Sequence, residues 1–105
     1  MFRGTTPTVR LVTAAAAAAE LGNYYITFSQ NGKELFTVDN SDCSMTVDGD
    51  TAYIEFTLTQ EQTLRMEDGM DVDIQMRAMT TGGMALASPV QSRPVDGILH
   101  DGYIS

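Results

Sequence analysis

Cysteine and histidine, the side chains that most often build disulfides and metal centres, are nearly missing from this chain. Cys43 is the single cysteine and His100 the single histidine among 105 residues. One cysteine excludes a disulfide within the chain and is typical of a reducing compartment. We therefore interpret Cys43 as a small buried apolar residue. A lone histidine with no cysteine nearby cannot form a structural zinc site from this chain alone.

Long hydrophobic runs are missing too. A membrane-spanning helix needs about 20 apolar residues, and the alanine run Ala14–Ala19 is far shorter and only weakly hydrophobic. This run does not resemble the core of a signal peptide either, because Glu20 follows it where a cleavage site should lie. The sequence therefore predicts no membrane partner. It also predicts a chain made and kept in a cytoplasm, at least until the cell lyses.

Basic residues are few. Six lysines and arginines stand against fourteen acidic residues, which gives a formal net charge of -8. The six bases are scattered along the chain, whereas binding to nucleic acid requires a basic stripe that follows the phosphates. The charge pattern therefore argues against DNA or RNA as a partner. An acidic surface is compatible with solubility, with basic protein partners or with weak cation binding.

What the chain does have is hydrophobicity that repeats with period two, the pattern of half-buried strands. Three predicted inward stripes are Tyr24, Ile26 and Phe28; Ile54, Phe56 and Leu58; and Met70, Val72, Ile74, Met76 and Ala78. Between strands, Asn31-Gly32 supplies two residues that tolerate positive φ, as a type I′ hairpin turn requires. Lys33–Val38 is therefore predicted to return as the partner strand.

Further turns follow the same logic. Cys43, Met45 and Val47 face one way in a short predicted strand that ends at the turn Asp48-Gly49-Asp50. Gly82-Gly83 predicts another hairpin, with Met84–Val90 as its second strand.

Two segments favour helix. Thr59 and Gln62 match a capping box, in which each residue's side chain bonds to the other's backbone. With Gly69 in the position of a left-handed C-cap, about two helical turns would fit between them. This helix would pack Leu64 onto the strands, with Met66 as a second candidate. The run from Ala14 to Glu20 has high helix propensity, and Thr13 is a candidate N-cap for it. We expect this run to form one helical turn or a mobile linker.

Short strands, hairpin turns and a short crossover helix together predict an all-β fold. The expected architecture is an antiparallel β-sandwich of immunoglobulin-like type with one short helix in a strand connection. We expect a single domain over residues 1–95, which opens with an N-terminal arm at 1–8. Residues 96–105 are expected to form a C-terminal docking tail.

Five segments of the chain form a recognisable series: the start MFRGTTPT (Met1–Thr8), the hairpin Tyr24–Val38, LTQEQTL (Leu58–Leu64), IQMR (Ile74–Arg77) and ALAS (Ala85–Ser88). These segments resemble a family of small proteins encoded among the tail and baseplate genes of phages and prophages of Gram-positive bacteria. They occur in the family's order and at about its spacing, and they cover most of the chain. The alanine run Ala14–Ala19 departs from the more polar, bulkier connection of the relatives.

The architecture also resembles the N-terminal domain of phage baseplate upper proteins. These resemblances imply a virion-associated structural role and carry over no catalytic residue. They also imply assembly in the bacterial host cytoplasm and a final location in the virion.

Acidic residues provide the candidate chemistry. On one strand face, Asp71 and Asp73 would lie about 7 Å apart, inside the roughly 6.5–9.5 Å range of inverting glycosidases. Both are expected on the solvent face, where nothing would raise a carboxyl pKa as such catalysis requires. Asp48-Gly49-Asp50 offers oxygen ligands for calcium but lacks the EF-hand spacing. The sequence therefore predicts no catalytic residue, no cofactor and no metal site.

Seven methionines are many for this length. Met45, Met70, Met76 and Met84 fall on inward phases and are predicted to fill the core. Met66 and Met79 do not fall on inward phases. They are candidates for either an adaptable protein interface or ordinary packing at the margin of the core.

The two ends of the chain carry the predicted interface. Its residues are Phe2, Arg3, Ile98, Leu99, Tyr103 and Ile104. The apolar pairs near the C-terminus lie beyond the last predicted strand, and the sequence leaves open whether they fold back on their own domain or dock on a neighbour.

Two functional hypotheses follow. The first is a non-enzymatic structural component of a phage or prophage virion, in the tail, baseplate or neck region, whose partners are other virion proteins and further copies of itself. The alternative is a β-sandwich module that binds host-surface polysaccharide or protein. Such a module would use exposed aromatic side chains, for which Tyr25, Tyr53 and Tyr103 are the candidates.

Overall fold

A computed structural model describes residues 1–2, 4–87 and 90–96 of the chain. This part forms eight strands, two short helices and one 3-10 turn. In chain order they are β1 (Thr8–Ala14), α1 (Ala15–Ala18), β2 (Leu21–Gln30), β3 (Lys33–Asp39), the 3-10 turn (Asn40–Asp42), β4 (Ser44–Asp48), β5 (Thr51–Thr57), α2 (Gln60–Leu64), β6 (Val72–Thr80), β7 (Ala85–Ala87) and β8 (Gln91–Arg93).

The strands form two antiparallel sheets that pack face to face. The smaller sheet has the order β1-β5-β4, and the larger sheet has the order β3-β2-β6-β7. Strand β8 also pairs with β6: β7 lies beside Arg77–Met79, and β8 lies beside Val72–Ile74. The predicted all-β antiparallel sandwich is confirmed. A short helix lies in the connection between β5 and β6, and the alanine run forms one helical turn.

The predicted hairpin at Asn31-Gly32 is present. Both residues have positive φ, 51° and 76° respectively, as a type I′ turn requires. The hairpin pairs β2 with β3, with a register shift between Phe28 and Ser29. The turn at Asp48-Gly49-Asp50 likewise joins β4 to β5, with Gly49 at φ 62°.

The core lies between the two sheets and contains the predicted inward stripes of β2 and β5. Phe28 is at its centre, stacked on Phe36 with ring centroids 4.7 Å apart and edge-on to Phe56 at 6.0 Å. Such aromatic pairs add to the stabilisation that burial alone provides. The buried cluster comprises Tyr24, Ile26, Phe28, Phe36, Val38, Ile54, Phe56, Leu58, Met66, Val72, Ile74, Ala78 and Val95.

Strand pairing begins earlier in the chain than the sequence pattern predicts. Strand β1 runs from Thr8 to Ala14 and pairs with β5 along its whole length. Thr13 belongs to this strand, so it does not cap α1, and the N-cap position is taken by Ala14 without a side-chain hydrogen bond. Strand pairing with β5 overrides the helix propensity of the first alanine.

The capping box of α2 is confirmed. The backbone N–H of Gln62 donates to Thr59 Oγ1 at 3.1 Å, and the backbone N–H of Thr59 donates to Gln62 Oε1 at 2.9 Å. The helix ends at Leu64, earlier than predicted, so Gly69 does not cap it. Gly69 has φ 74° in a later turn, where its N–H donates to the carbonyl of Val95 at 3.1 Å.

The methionine assignment is wrong at three positions. Met45, Met70 and Met84 were expected inside but are exposed. Met66 is only 1% exposed, so of its two alternatives the structure favours packing over an interface. Met45 does face the interior, opposite Ile54, but it lies on an edge strand where the sheets do not cover it. Met66 follows α2 and closes the core from that side. Met76 packs against the core as predicted, and Met79 is exposed.

Candidate functional site

The start of the chain is anchored on the sandwich and presents one aromatic side chain. Met1 packs against the core, and its carbonyl accepts a hydrogen bond from the N–H of Asp96 at 2.7 Å. Phe2 forms a parallel bridge with Asp96, and its side chain is 53% exposed. Neighbouring side chains of an extended backbone point in opposite directions, so fixing Met1 inward holds Phe2 outward.

The other predicted interface residues cannot be placed. Arg3, Ile98, Leu99, Tyr103 and Ile104 lie outside the described residues. Of the predicted docking tail at 96–105, only Asp96 is described. It lies beside Phe2, so the described parts of the predicted arm and tail meet at one place on the sandwich.

A second candidate surface lies on the outer face of the larger sheet. We call it the Tyr25 surface, formed by Asn23, Tyr25, Arg77, Met79 and Ala85. Strand register brings these residues together, because Tyr25 lies opposite Arg77 on β6 and Met79 lies opposite Ala85 on β7. They line a shallow depression of about 370 Å³ together with Ala78 and Leu86. Tyr25 is 53% exposed there.

Tyr53, the second candidate aromatic platform, is in a different environment. It lies on β5, opposite Val12 of β1, and the guanidinium of Arg10 lies 5.0 Å from its ring centroid. Arg10 is held there by Glu55, whose carboxylate oxygen is 3.3 Å from the guanidinium. A ring already covered by a cation offers less surface for stacking. The structure therefore favours Tyr25 over Tyr53 as a platform for a ligand.

A polar cleft of about 730 Å³ opens beside the 3-10 turn, with Ser41, Asp42, Cys43 and Glu55 among its lining residues. Cys43 is half-buried, and its thiol donates to the carbonyl of Asp39 at 3.4 Å. Burial raises the pKa of the Cys43 thiol. Since the thiolate is the nucleophilic form, the raised pKa keeps Cys43 protonated at neutral pH. Its side chain packs against the core but is only partly buried, less than the sequence predicted.

Two residues near Cys43, Tyr24 and Asp39, also stabilise the fold around the cleft. Burial raises the pKa of the Tyr24 hydroxyl, which contacts the thiol. Hydrogen bonds from the side chain and backbone of Ser41 lower the pKa of Asp39. This carboxylate caps the 3-10 turn, so its ionised form stabilises the connection between β3 and β4.

The two acidic motifs, Asp71 with Asp73 and Asp48-Gly49-Asp50, lie beside strands of different sheets. Asp73 lies on β6 and accepts a hydrogen bond from Ser92 Oγ at 2.6 Å, whereas Asp71 precedes the strand and is exposed. Asp48 and Asp50 flank the turn glycine. Within residues 1–2, 4–87 and 90–96, histidine, cysteine and acidic side chains do not form a group of three that could hold a metal ion. His100 is outside these ranges.

Comparison with known proteins gave no family-model match, no match among curated proteins and no match among solved structures. Among the described residues, no helix has the length and apolar character needed to cross a membrane.

Proposed function

We propose that this protein is a structural component of a phage or prophage virion, in the tail, baseplate or neck region, and that it acts by protein–protein assembly. The observation that carries the proposal is its apolar surface. The described residues expose ten large apolar side chains: Phe2, Val12, Tyr25, Met45, Val47, Met70, Met79, Met84, Leu86 and Val90. Grouped apolar side chains on a surface mark sites of contact with other proteins.

The position of these side chains supports assembly through more than one surface. Phe2 lies at the chain start, Tyr25 and Met79 lie on the outer face of the larger sheet, and Met45 and Val47 lie on the edge strand β4. A subunit of a lattice contacts several neighbours, so separate apolar surfaces on one small sandwich are what such a role requires. The resemblance of the segments MFRGTTPT, LTQEQTL and IQMR to a phage tail-region family supports the choice of a virion as the assembly.

The test is to look for the protein in particles. Prophage induction in the strain that encodes the chain should yield virions whose gradient-purified fractions contain it, as measured by mass spectrometry. Immunogold labelling should then locate it at the tail or neck. Particles in which the major tail proteins are detected and this chain is absent would contradict the proposal.

The Tyr25 surface supports a second candidate function, the binding of a host-surface polysaccharide. An exposed tyrosine ring beside an arginine and an asparagine combines a stacking platform with hydrogen-bond donors. Tyr25→Ala should abolish binding to cell-wall polysaccharide of the host in a pull-down assay. Tyr53→Ala is the matched control and should retain binding, because Arg10 already covers that ring. Equal retention by the two variants would exclude this surface as the glycan site.

A further inference from the structure

Among the residues that the structure describes, strand β4 forms a sheet edge. It pairs with β5 on one side, and no other described strand pairs with it. All five of its residues are exposed, and its register with β5 is regular from Ser44 to Asp48. Natural edge strands are usually guarded by charged side chains, above all lysine, by proline or by a bulge. The sequence Ser-Met-Thr-Val-Asp has no lysine, proline or bulge, and its one charged residue, Asp48, lies at the end of the strand.

Two other described edge strands, β3 and β1, are better protected. Strand β3 carries Lys33 and Glu34 at its start and has a register shift in its pairing with β2. Strand β1 carries Arg10 and is preceded by Pro7. Strand β7, at the other edge of the larger sheet, has only three residues. The contrast singles out β4 as an edge on which a further strand can add.

We propose that β4 pairs antiparallel with β4 of a second copy, which joins two three-stranded sheets into one sheet of six. Thr46 lies on the two-fold axis opposite Thr46 of the second copy. Met45 then lies opposite Val47, and Ser44 lies opposite Asp48. A two-fold interface must be self-complementary, and this short sequence meets that condition at every position.

Charge selects this register over its neighbours. Sliding the second strand by two residues in one direction places Asp48 opposite Asp42, where two carboxylates repel. Sliding it by two in the other direction leaves Ser44 and Met45 without an opposing strand residue. A slide by one residue places Met45 opposite Asp48 and turns the apolar face of one copy away from that of the other. The register centred on Thr46 pairs all five residues without opposing like charges.

The side chains at the edge suit this pairing. Met45 and Val47 lie opposite the buried residues Ile54 and Ala52 of β5, so they face the interior side of the sheet. They are nevertheless 39% and 58% exposed. In the pair, the two copies bring four such side chains together on that side and remove them from water. Threonine pairs across strands already occur in this fold, with Thr27 and Thr37 hydroxyls 3.3 Å apart.

Disulfide trapping tests the register directly. In a Cys43→Ala background, Thr46→Cys places two thiols opposite each other at a Cα separation of about 4.5–5.5 Å, within the range of a disulfide. Mild oxidation of the full chain should then give a covalent dimer on a non-reducing gel. Ser44→Cys is the matched control. Its thiol lies opposite Asp48 of the second copy, and the two introduced thiols are about 13 Å apart along the strands, so this variant should not cross-link.

Charge substitutions test the same contact without oxidation. Because the interface is symmetric, Ser44→Lys introduces two favourable charge pairs with Asp48, and Ser44→Asp introduces two repulsive ones. Ser44→Lys should therefore lower the dimer Kd roughly two- to thirtyfold, and Ser44→Asp should raise it by a similar factor. Sedimentation velocity over a concentration series measures this. Val47→Lys should also dissociate the dimer, whereas Val12→Lys, at a 63% exposed valine of the same sheet, should leave it intact.

Three results would overturn the proposal. The first is a full chain that stays monomeric up to about millimolar concentration, where even weak association is populated. The second is equal cross-linking by Thr46→Cys and Ser44→Cys, and the third is an equal dimer Kd for Ser44→Lys and Ser44→Asp. A monomeric chain that is present in virions would reject this dimer while leaving the proposed function standing. In that case β4 would be covered by a different virion protein or by another segment of the chain.

Discussion

The buried side chain of Gln30 and the backbone of Glu67 hydrogen-bond to each other in both directions. The N–H of Glu67 donates to Gln30 Oε1 at 2.7 Å, and Gln30 Nε2 donates to the carbonyl of Glu67 at 2.9 Å. The same amide nitrogen donates to the carbonyl of Met70 at 3.2 Å. The last residue of β2 therefore holds the turn that leads into β6. A buried polar side chain with all these partners fixes one arrangement of its neighbours.

Gln30→Ala should destabilise the fold because it leaves three backbone groups of this turn without their partners. The expected loss in free energy of unfolding is about 2–4 kcal/mol, measured by urea melts. Lys33→Ala, at an exposed position three residues away in the same hairpin, should change it by no more than about 0.5 kcal/mol. Equal effects of the two substitutions would show that the Gln30 amide does not hold the turn.

Phe56→Ala should remove the ring that packs edge-on against Phe28. Because Phe56 is buried and lies on β5, the central strand of the smaller sheet, the expected cost is about 3–5 kcal/mol in free energy of unfolding. Glu55→Ala, on the opposite face of the same strand, loses only an exposed ion pair with Arg10 and should cost about 0–1 kcal/mol. Urea denaturation of both variants checks this, and similar midpoints would contradict the assigned strand phase.

Phe2→Ala should separate docking from folding. The Phe2 side chain is exposed, so its removal should leave the free energy of unfolding within about 0.5 kcal/mol of the unchanged chain. If Phe2 is a docking residue, incorporation into particles should nevertheless fall sharply, as quantified by mass spectrometry. Normal incorporation of a folded Phe2→Ala chain would remove Phe2 from the proposed interface.

Deletion of residues 1–6 is a different change, because this segment contributes contacts to the sandwich. Met1 packs against the core, and the buried hydroxyl of Thr63 donates to the carbonyl of Thr5 at 2.8 Å. We expect this truncation to lower the thermal midpoint measurably. An unchanged midpoint would show that these contacts do not stabilise the sandwich.

Cys43 should react slowly with iodoacetamide at neutral pH. Since burial raises its pKa, the thiolate fraction is small at pH 7 and grows only as the pH rises through the elevated pKa. A cysteine introduced at the exposed Lys33 in a Cys43→Ala chain is the reference and should react faster at every pH below about 9, where an ordinary thiol is already partly ionised. Equal rates would show that Cys43 is exposed to solvent.

Features decided by neighbouring residues were readable in the sequence. Asn31-Gly32 specified a hairpin because both residues accept positive φ, and Thr59 with Gln62 specified a helix start because each caps the other. The alternation of Ile54, Phe56 and Leu58 specified an inward face because the side-chain period of a strand is two. These are short-range properties of the backbone, so the antiparallel β-sandwich could be predicted from them.

The tertiary structure alone decided which inward-facing side chains are covered. Met45 has the correct phase for the core, but it lies on an edge strand at the margin of two sheets of unequal width, so it remains exposed. Met66 lacks a strand phase and is nevertheless buried, because α2 ends early and brings it over the core. Tyr25 and Tyr53 have the same outward phase, and only the packing of Arg10 distinguishes them. Periodicity gives the direction of a side chain, whereas its contacts depend on how the sheets overlap.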